Sequence, residues 1–69
     1  MDRQIASSSN IVAVGYDPAS ETLEVEFQNG SVYQYYNVGQ STYDEFMAAP
    51  SKGKFLAYQI KNCFPYSRV

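Results

Sequence analysis

Between residues 22 and 38 the chain alternates apolar and polar side chains on either side of one Asn-Gly pair, and this constrains its fold more than any other feature. Thr22-Leu23-Glu24-Val25-Glu26-Phe27 precedes Asn29-Gly30, and Val32-Tyr33-Gln34-Tyr35-Tyr36-Asn37-Val38 follows it. Period-two alternation across a glycine turn is the pattern of an antiparallel hairpin. In its first strand Leu23, Val25 and Phe27 face inward, and Thr22, Glu24 and Glu26 face water. Turn geometry then decides what the tyrosines do. A two-residue turn pairs Phe27 with Val32 and leaves Tyr33 and Tyr35 beside the glutamates. A type I turn with Gly30 as a left-handed bulge residue sets Val25 opposite Tyr33 and Leu23 opposite Tyr35. We favour the second, because it turns two large rings inward and puts Gln34 outside, with Tyr36 exposed.

Upstream, Ile11 to Tyr16 is apolar and β-branched enough for a strand that Asp17-Pro18 stops. Strict alternation puts Val12, Val14 and Tyr16 on one face, and Ile11, Ala13 and Gly15 on the other. Residues 1–9 are polar and serine-rich and are expected to form a flexible N-terminus, leaving 10–69 as a single domain. After Val38-Gly39 the apolar period lengthens to about 3.6. Ser41 with Asp44 resembles a capping box, Tyr43, Phe46 and Met47 form an apolar face, and Pro50 ends this helix. Ser51 caps a second helix from about 52 to 62, with Leu56, Ile60 and Cys63 on its inner stripe. The predicted fold is therefore α+β, a three-stranded antiparallel meander followed by two short helices packed on one face, in the order β-β-β-α-α.

With 69 residues the chain is close to the lower limit for a self-sustaining core, so its aromatic side chains, 16% of residues and including seven tyrosines, carry much of the burial. Histidine is absent and Cys63 is the one cysteine, which leaves no base for a nucleophile and no ligand set for a structural metal. Glu24 and Glu26 lie on an open strand face and lack the burial that raises a carboxylate's pKa. The chain is expected not to be an enzyme and to need no cofactor or metal. Cys63 has no partner for an internal disulfide and is expected to be a small buried hydrophobe in a cytoplasmic protein. No signal-length apolar segment and no 18-residue apolar run is present, so no membrane association is expected.

Charge is divided along the chain. Residues 1–50 hold Arg3 and all seven acids, whereas residues 51–69 hold Lys52, Lys54, Lys61 and Arg68 with no acid. Such a division gives an anionic partner an attractive side and a repulsive one, and is also compatible with simple solvation of each half. The segment Ser51-Lys52-Gly53-Lys54 combines a helix start, a hydroxyl, a glycine and two lysines. These are ingredients of a phosphate site, and equally of an ordinary serine cap with solvated lysines. Gly53 costs about 1 kcal/mol in a helix relative to alanine, so its position calls for close packing or a close ligand. Candidate nucleic-acid contacts are Ser51, Lys52, Gly53, Lys54, Tyr58, Lys61, Tyr66 and Arg68. Tyr33 and Tyr35 could stack bases, but the favoured register assigns them to the core.

Asn10-Ile11, Val14-Gly15-Tyr16-Asp17, Leu23-x-Val25-x-Phe27, Gly30-x-x-Tyr33-x-Tyr35, Ala49-x-Ser51-x-Gly53, Ile60 and Pro65-Tyr66 form an ordered set over about residues 8 to 69. Together they resemble the KTSC domain, named for a C-terminal appendage of some lysyl-tRNA synthetases and found also as small stand-alone proteins. Gly39 stands where many members have proline. The resemblance implies a domain with no established activity and, from its attachment to a tRNA enzyme, a role in binding RNA or tRNA. The alternative is a protein–protein interaction module that docks a protein partner through exposed tyrosines.

Overall fold

The computed structural model of the chain describes residues 10–69 together with the backbone of residues 3–5. Its elements run β1 (Arg3–Ile5), β2 (Ile11–Asp17), β3 (Thr22–Phe27), β4 (Val32–Tyr35), α1 (Gln40–Ala48), α2 (Lys52–Phe55) continuing directly into a π-helical turn (Leu56–Ile60), and β5 (Tyr66–Arg68). The strands form one sheet in the order β1-β2-β3-β4-β5, with antiparallel neighbours throughout. The α+β class stands, with two more strands than the meander predicted from the sequence. Both additions are three-residue edge strands without an apolar period to announce them. β1 falls within the segment expected to be flexible, whose other residues lie outside the described ones. β5 is held through its backbone: Tyr36 N–H donates to the Pro65 carbonyl and Val69 N–H to the Val32 carbonyl, each at 2.8 Å.

The hairpin takes the bulged register. Leu23 lies opposite Tyr35 and Val25 opposite Tyr33. Gly30 has φ +88°, and its N–H donates to the Phe27 carbonyl at 3.0 Å, while Phe27 N–H donates to the Ser31 carbonyl at 2.9 Å. Asn29 supports the turn by accepting from Ser31 N–H through Oδ1 at 3.0 Å. Tyr36 is half-buried rather than exposed, its hydroxyl donating to Gln34 Oε1 at 3.3 Å. Thr22 is buried, against expectation, because the Ser20 hydroxyl packs beside it and donates to its Oγ1 at 2.9 Å.

A second irregularity redirects β2. Ile11 pairs with Phe27 and Ala13 with Glu26, so Val12 is an extra residue and a β-bulge interrupts the alternation. Ile11 therefore joins Val14 on the core face instead of sharing the opposite face with Ala13 and Gly15. The core gathers Ile11, Val14, Leu23, Val25, Tyr35, Val38, Phe46, Leu56 and Ile60.

The helices differ from expectation at their ends. Gly39, not Ser41, is the N-cap of α1, and no side chain caps it. Asp44 instead accepts from Gln40 Nε2 at 3.0 Å. Ser51 does cap α2, accepting from Lys54 N–H at 3.3 Å. The second helix stops being α-helical at Leu56, where Lys61 N–H reaches back five residues to the Leu56 carbonyl at 2.7 Å. Beyond Ile60 the chain turns, with the N–H groups of Cys63 and Phe64 both directed at the Ile60 carbonyl. An α-helical stripe thus no longer extends to Cys63, which is exposed, and Phe64 packs against the core in its place. No helix among the described residues is long and apolar enough to cross a membrane.

Candidate nucleic-acid interface

Antiparallel register puts directly opposed residues on one sheet face, so two rows cross the sheet beneath the helices. One row is Val14, Val25, Tyr33 and Arg68, and the other is Tyr16, Leu23, Tyr35 and Tyr66. Toward the β5 edge these rows become aromatic. Tyr66 lies 5.8 Å from Tyr33 and 5.6 Å from Tyr35, centroid to centroid, and Phe27 meets Tyr33 edge-on at 5.8 Å. Tyr35 is sealed in the core, Tyr33 is half-buried and Tyr66 is 51% exposed. Thus only Tyr35 is a full core residue, and Tyr33 belongs to a surface wall as well.

This wall is one side of a groove of about 500 Å³. Gly53, Leu56, Ala57 and Lys61 form the facing side, and the hairpin tip closes one end with Gln28, Asn29 and Ser31. A second shallow hollow, lined by Ser51, Gly53, Lys54 and Tyr58, adjoins it through Asn10, Gly53 and Ala57. Gly53 lines both.

The π-helical turn matters to the groove because it sets the direction of Lys61. In an α-helix a residue five positions after Leu56 is rotated from it by about 140°. The i→i+5 ring instead brings Lys61 a little more than a full turn above Leu56, nearer the same side of the helix, and both line the groove. Nothing in the α-helical spacing of the sequence indicates this widening.

Of the sequence candidates, Gly53, Lys61 and Tyr66 line the groove and Ser51, Lys54 and Tyr58 the adjoining hollow. Lys52 and Arg68 line neither, although Arg68 pairs with Tyr33 across β4 and β5. The Ser51 hydroxyl is engaged in capping Lys54 N–H, so the helix start is already satisfied in part by the protein. The hairpin-tip residues of the groove escaped the sequence reading, since an Asn-Gly turn signals chain reversal and says nothing of what it will face.

Acidic residues lie elsewhere. Glu24 accepts from Gln34 Nε2 at 2.9 Å on the opposite sheet face. Asp17, Glu21 and Asp44 surround Tyr16, which stacks on Tyr43 at 4.3 Å and donates to the Val38 carbonyl. Desolvation, followed by the charges of Glu21, Asp44 and Asp17, pushes the Tyr16 hydroxyl above the ordinary phenol value. Burial, reinforced by Tyr33 and Tyr66, does the same to Tyr35. Among the described residues no three His, Cys, Asp or Glu side chains are grouped to hold a metal ion.

The family model of the KTSC domain matches residues 7–64. The chain belongs to the KTSC domain family. The crystal structure of a KTSC domain protein from Yersinia pestis superimposes with a TM-score of 0.92 at 40% identity, covering 99% of this chain and 96% of that one. A protein of Tsukamurella paurometabola is 41% identical over 61 residues, which are 88% of this chain and 91% of that protein. A lysine–tRNA ligase of a Nostoc species is 39% identical over 61 residues, again 88% of this chain but only 11% of the ligase. The KTSC domain is therefore a small module that occurs as nearly the whole of some proteins and as a minor part of others.

Proposed function

We propose that this KTSC domain is a non-catalytic RNA-binding module of the cytoplasm, and that its binding face is the groove between the aromatic wall and the π-helical turn. The observation that carries the reading is the convergence of Tyr33, Tyr66 and Lys61 on one groove, with Lys54 in the adjoining hollow. Rings that can stack on bases beside cations that can pair with phosphates are the combination that single-strand binders use. The acids Glu24 and Glu26 alternate in β3 with the inward Leu23 and Val25 and so belong to the other face. The presence of a homologous segment in lysine–tRNA ligases supports the reading by context. The two hydroxyls with displaced pKa values, Tyr16 and Tyr35, are both raised, which keeps both protonated at neutral pH.

The test is RNA affinity at several salt concentrations for the wild type and for Lys54→Gln with Lys61→Gln. Each phosphate contact on a single strand contributes about 0.7 to the slope of log K against log salt. Loss of both lysines should weaken binding and lower that slope by about 1.4. Wild type that fails to bind RNA at low salt refutes the proposal. The competing reading, docking of a protein, draws on Tyr58, which is 75% exposed. A salt-insensitive protein complex lost in Tyr58→Ala would support that reading instead.

A further inference from the structure

Resting on the RNA-binding reading, the geometry points to a more specific ligand: we infer that the groove takes an unpaired nucleotide of a single strand, with its base against Tyr66 and Tyr33 and its phosphate toward Lys61. Two features favour that ligand over a duplex. At about 500 Å³ the groove lies within the range of small-ligand sites. Its wall combines the half-buried ring of Tyr33 with the 51% exposed ring of Tyr66, which the face of an unstacked base can meet, whereas a base within a duplex keeps its faces stacked on its neighbours.

Each wall has a separate task. Tyr66, half-exposed at the sheet edge, offers a ring that packs at tilted angles against Tyr33 and Tyr35, contacts that restrain it before a base arrives. Gln28, Asn29 and Ser31 close one end with amide and hydroxyl groups, the chemistry that hydrogen-bonds to the exposed edge of an unpaired base. Gly53 lines the helical wall without a side chain, and Lys61 lines the same wall, joined to Leu56 across the π-helical turn. A cation on one wall and rings on the other match the two ends of a nucleotide.

The experiment compares an unstructured RNA of about 12 nucleotides with the same strand annealed to its complement, for wild type, Tyr66→Ala and Tyr66→Leu. Leucine keeps apolar packing at the sheet edge and removes only the ring, so a loss seen in both variants does not depend on the alanine variant being fully folded. Single strand should bind at least about tenfold more tightly than duplex, and either variant should lose about 5- to 150-fold, the range for one stacked base. Intrinsic tyrosine fluorescence of the wild type should be quenched by the single strand and not by the duplex. Equal affinity for the two forms, or full affinity in Tyr66→Leu, overturns the inference while leaving RNA binding in place. Failure of wild type to bind either form at low salt removes both.

Discussion

Ile60→Ala tests whether the π-helical turn is anchored as described. Ile60 is fully buried in the core beside Leu56 and Phe46, on the element that also carries Lys61. Truncation removes three carbons, worth about 0.8 kcal/mol each, or about 2.4 kcal/mol of lost transfer free energy. A residual void of about 50 Å³, at about 24 cal/mol per Å³, adds about 1.2 kcal/mol. The expected loss is therefore about 3.6 kcal/mol, in the middle of the range of about 2–5 kcal/mol measured for such truncations. Domains of this length are stable by roughly 3.5–10 kcal/mol, so the variant should remain folded only if the wild type lies in the upper part of that range. Urea denaturation followed by far-ultraviolet circular dichroism gives the difference, with Tyr58→Ala as an exposed control expected to lie within about 0.5 kcal/mol of wild type. A loss below about 0.5 kcal/mol for Ile60→Ala would mean that the turn does not pack against the sheet and that the groove lacks its second wall.

Other perturbations probe the sheet. Burial raises the Tyr35 pKa, so the folded state favours the neutral phenol: stability is full below the unfolded value of 10.0 and falls as pH rises through the higher folded value. Tyr35→Phe should flatten that alkaline decline, and an unchanged slope in denaturation midpoints above pH 10.0 would refute the assignment. Gly30 has φ +88° with open space where a Cβ would stand, so Gly30→Ala should cost about 1 kcal/mol through backbone strain alone. Gly30→Asn should cost less, because asparagine tolerates positive φ better, and equal stability of alanine and wild type in urea would argue against the bulged turn.

The central hairpin was legible because every level of the sequence agreed on it. Leu23, Val25 and Phe27 alternate with acids, and the inward demand of Tyr33 and Tyr35 selects the register that Gly30 permits. What escaped were features set by backbone geometry. The Val12 bulge moves Ile11 to the core without altering the apolar content of the strand. The π-helical turn removes Cys63 from the stripe and brings in Phe64, and no residue type marks it. β5 is recruited as an edge by main-chain hydrogen bonds, although its own side chains are exposed. The candidate site shows the same division. Its basic residues were identifiable from charge, but the groove needs β5 to supply Tyr66 and the widened turn to direct Lys61.

Chemical-shift mapping of the labelled domain during titration with a short unstructured RNA tests the proposed interface most directly. Shifts should concentrate on the ring resonances of Tyr33 and Tyr66 and on the amides of Gly53, Ala57 and Lys61, while Glu24 and Gln34 on the opposite sheet face stay unchanged. Shifts centred on Glu24 and Gln34, or an unperturbed groove in an RNA-saturated sample, would contradict the account.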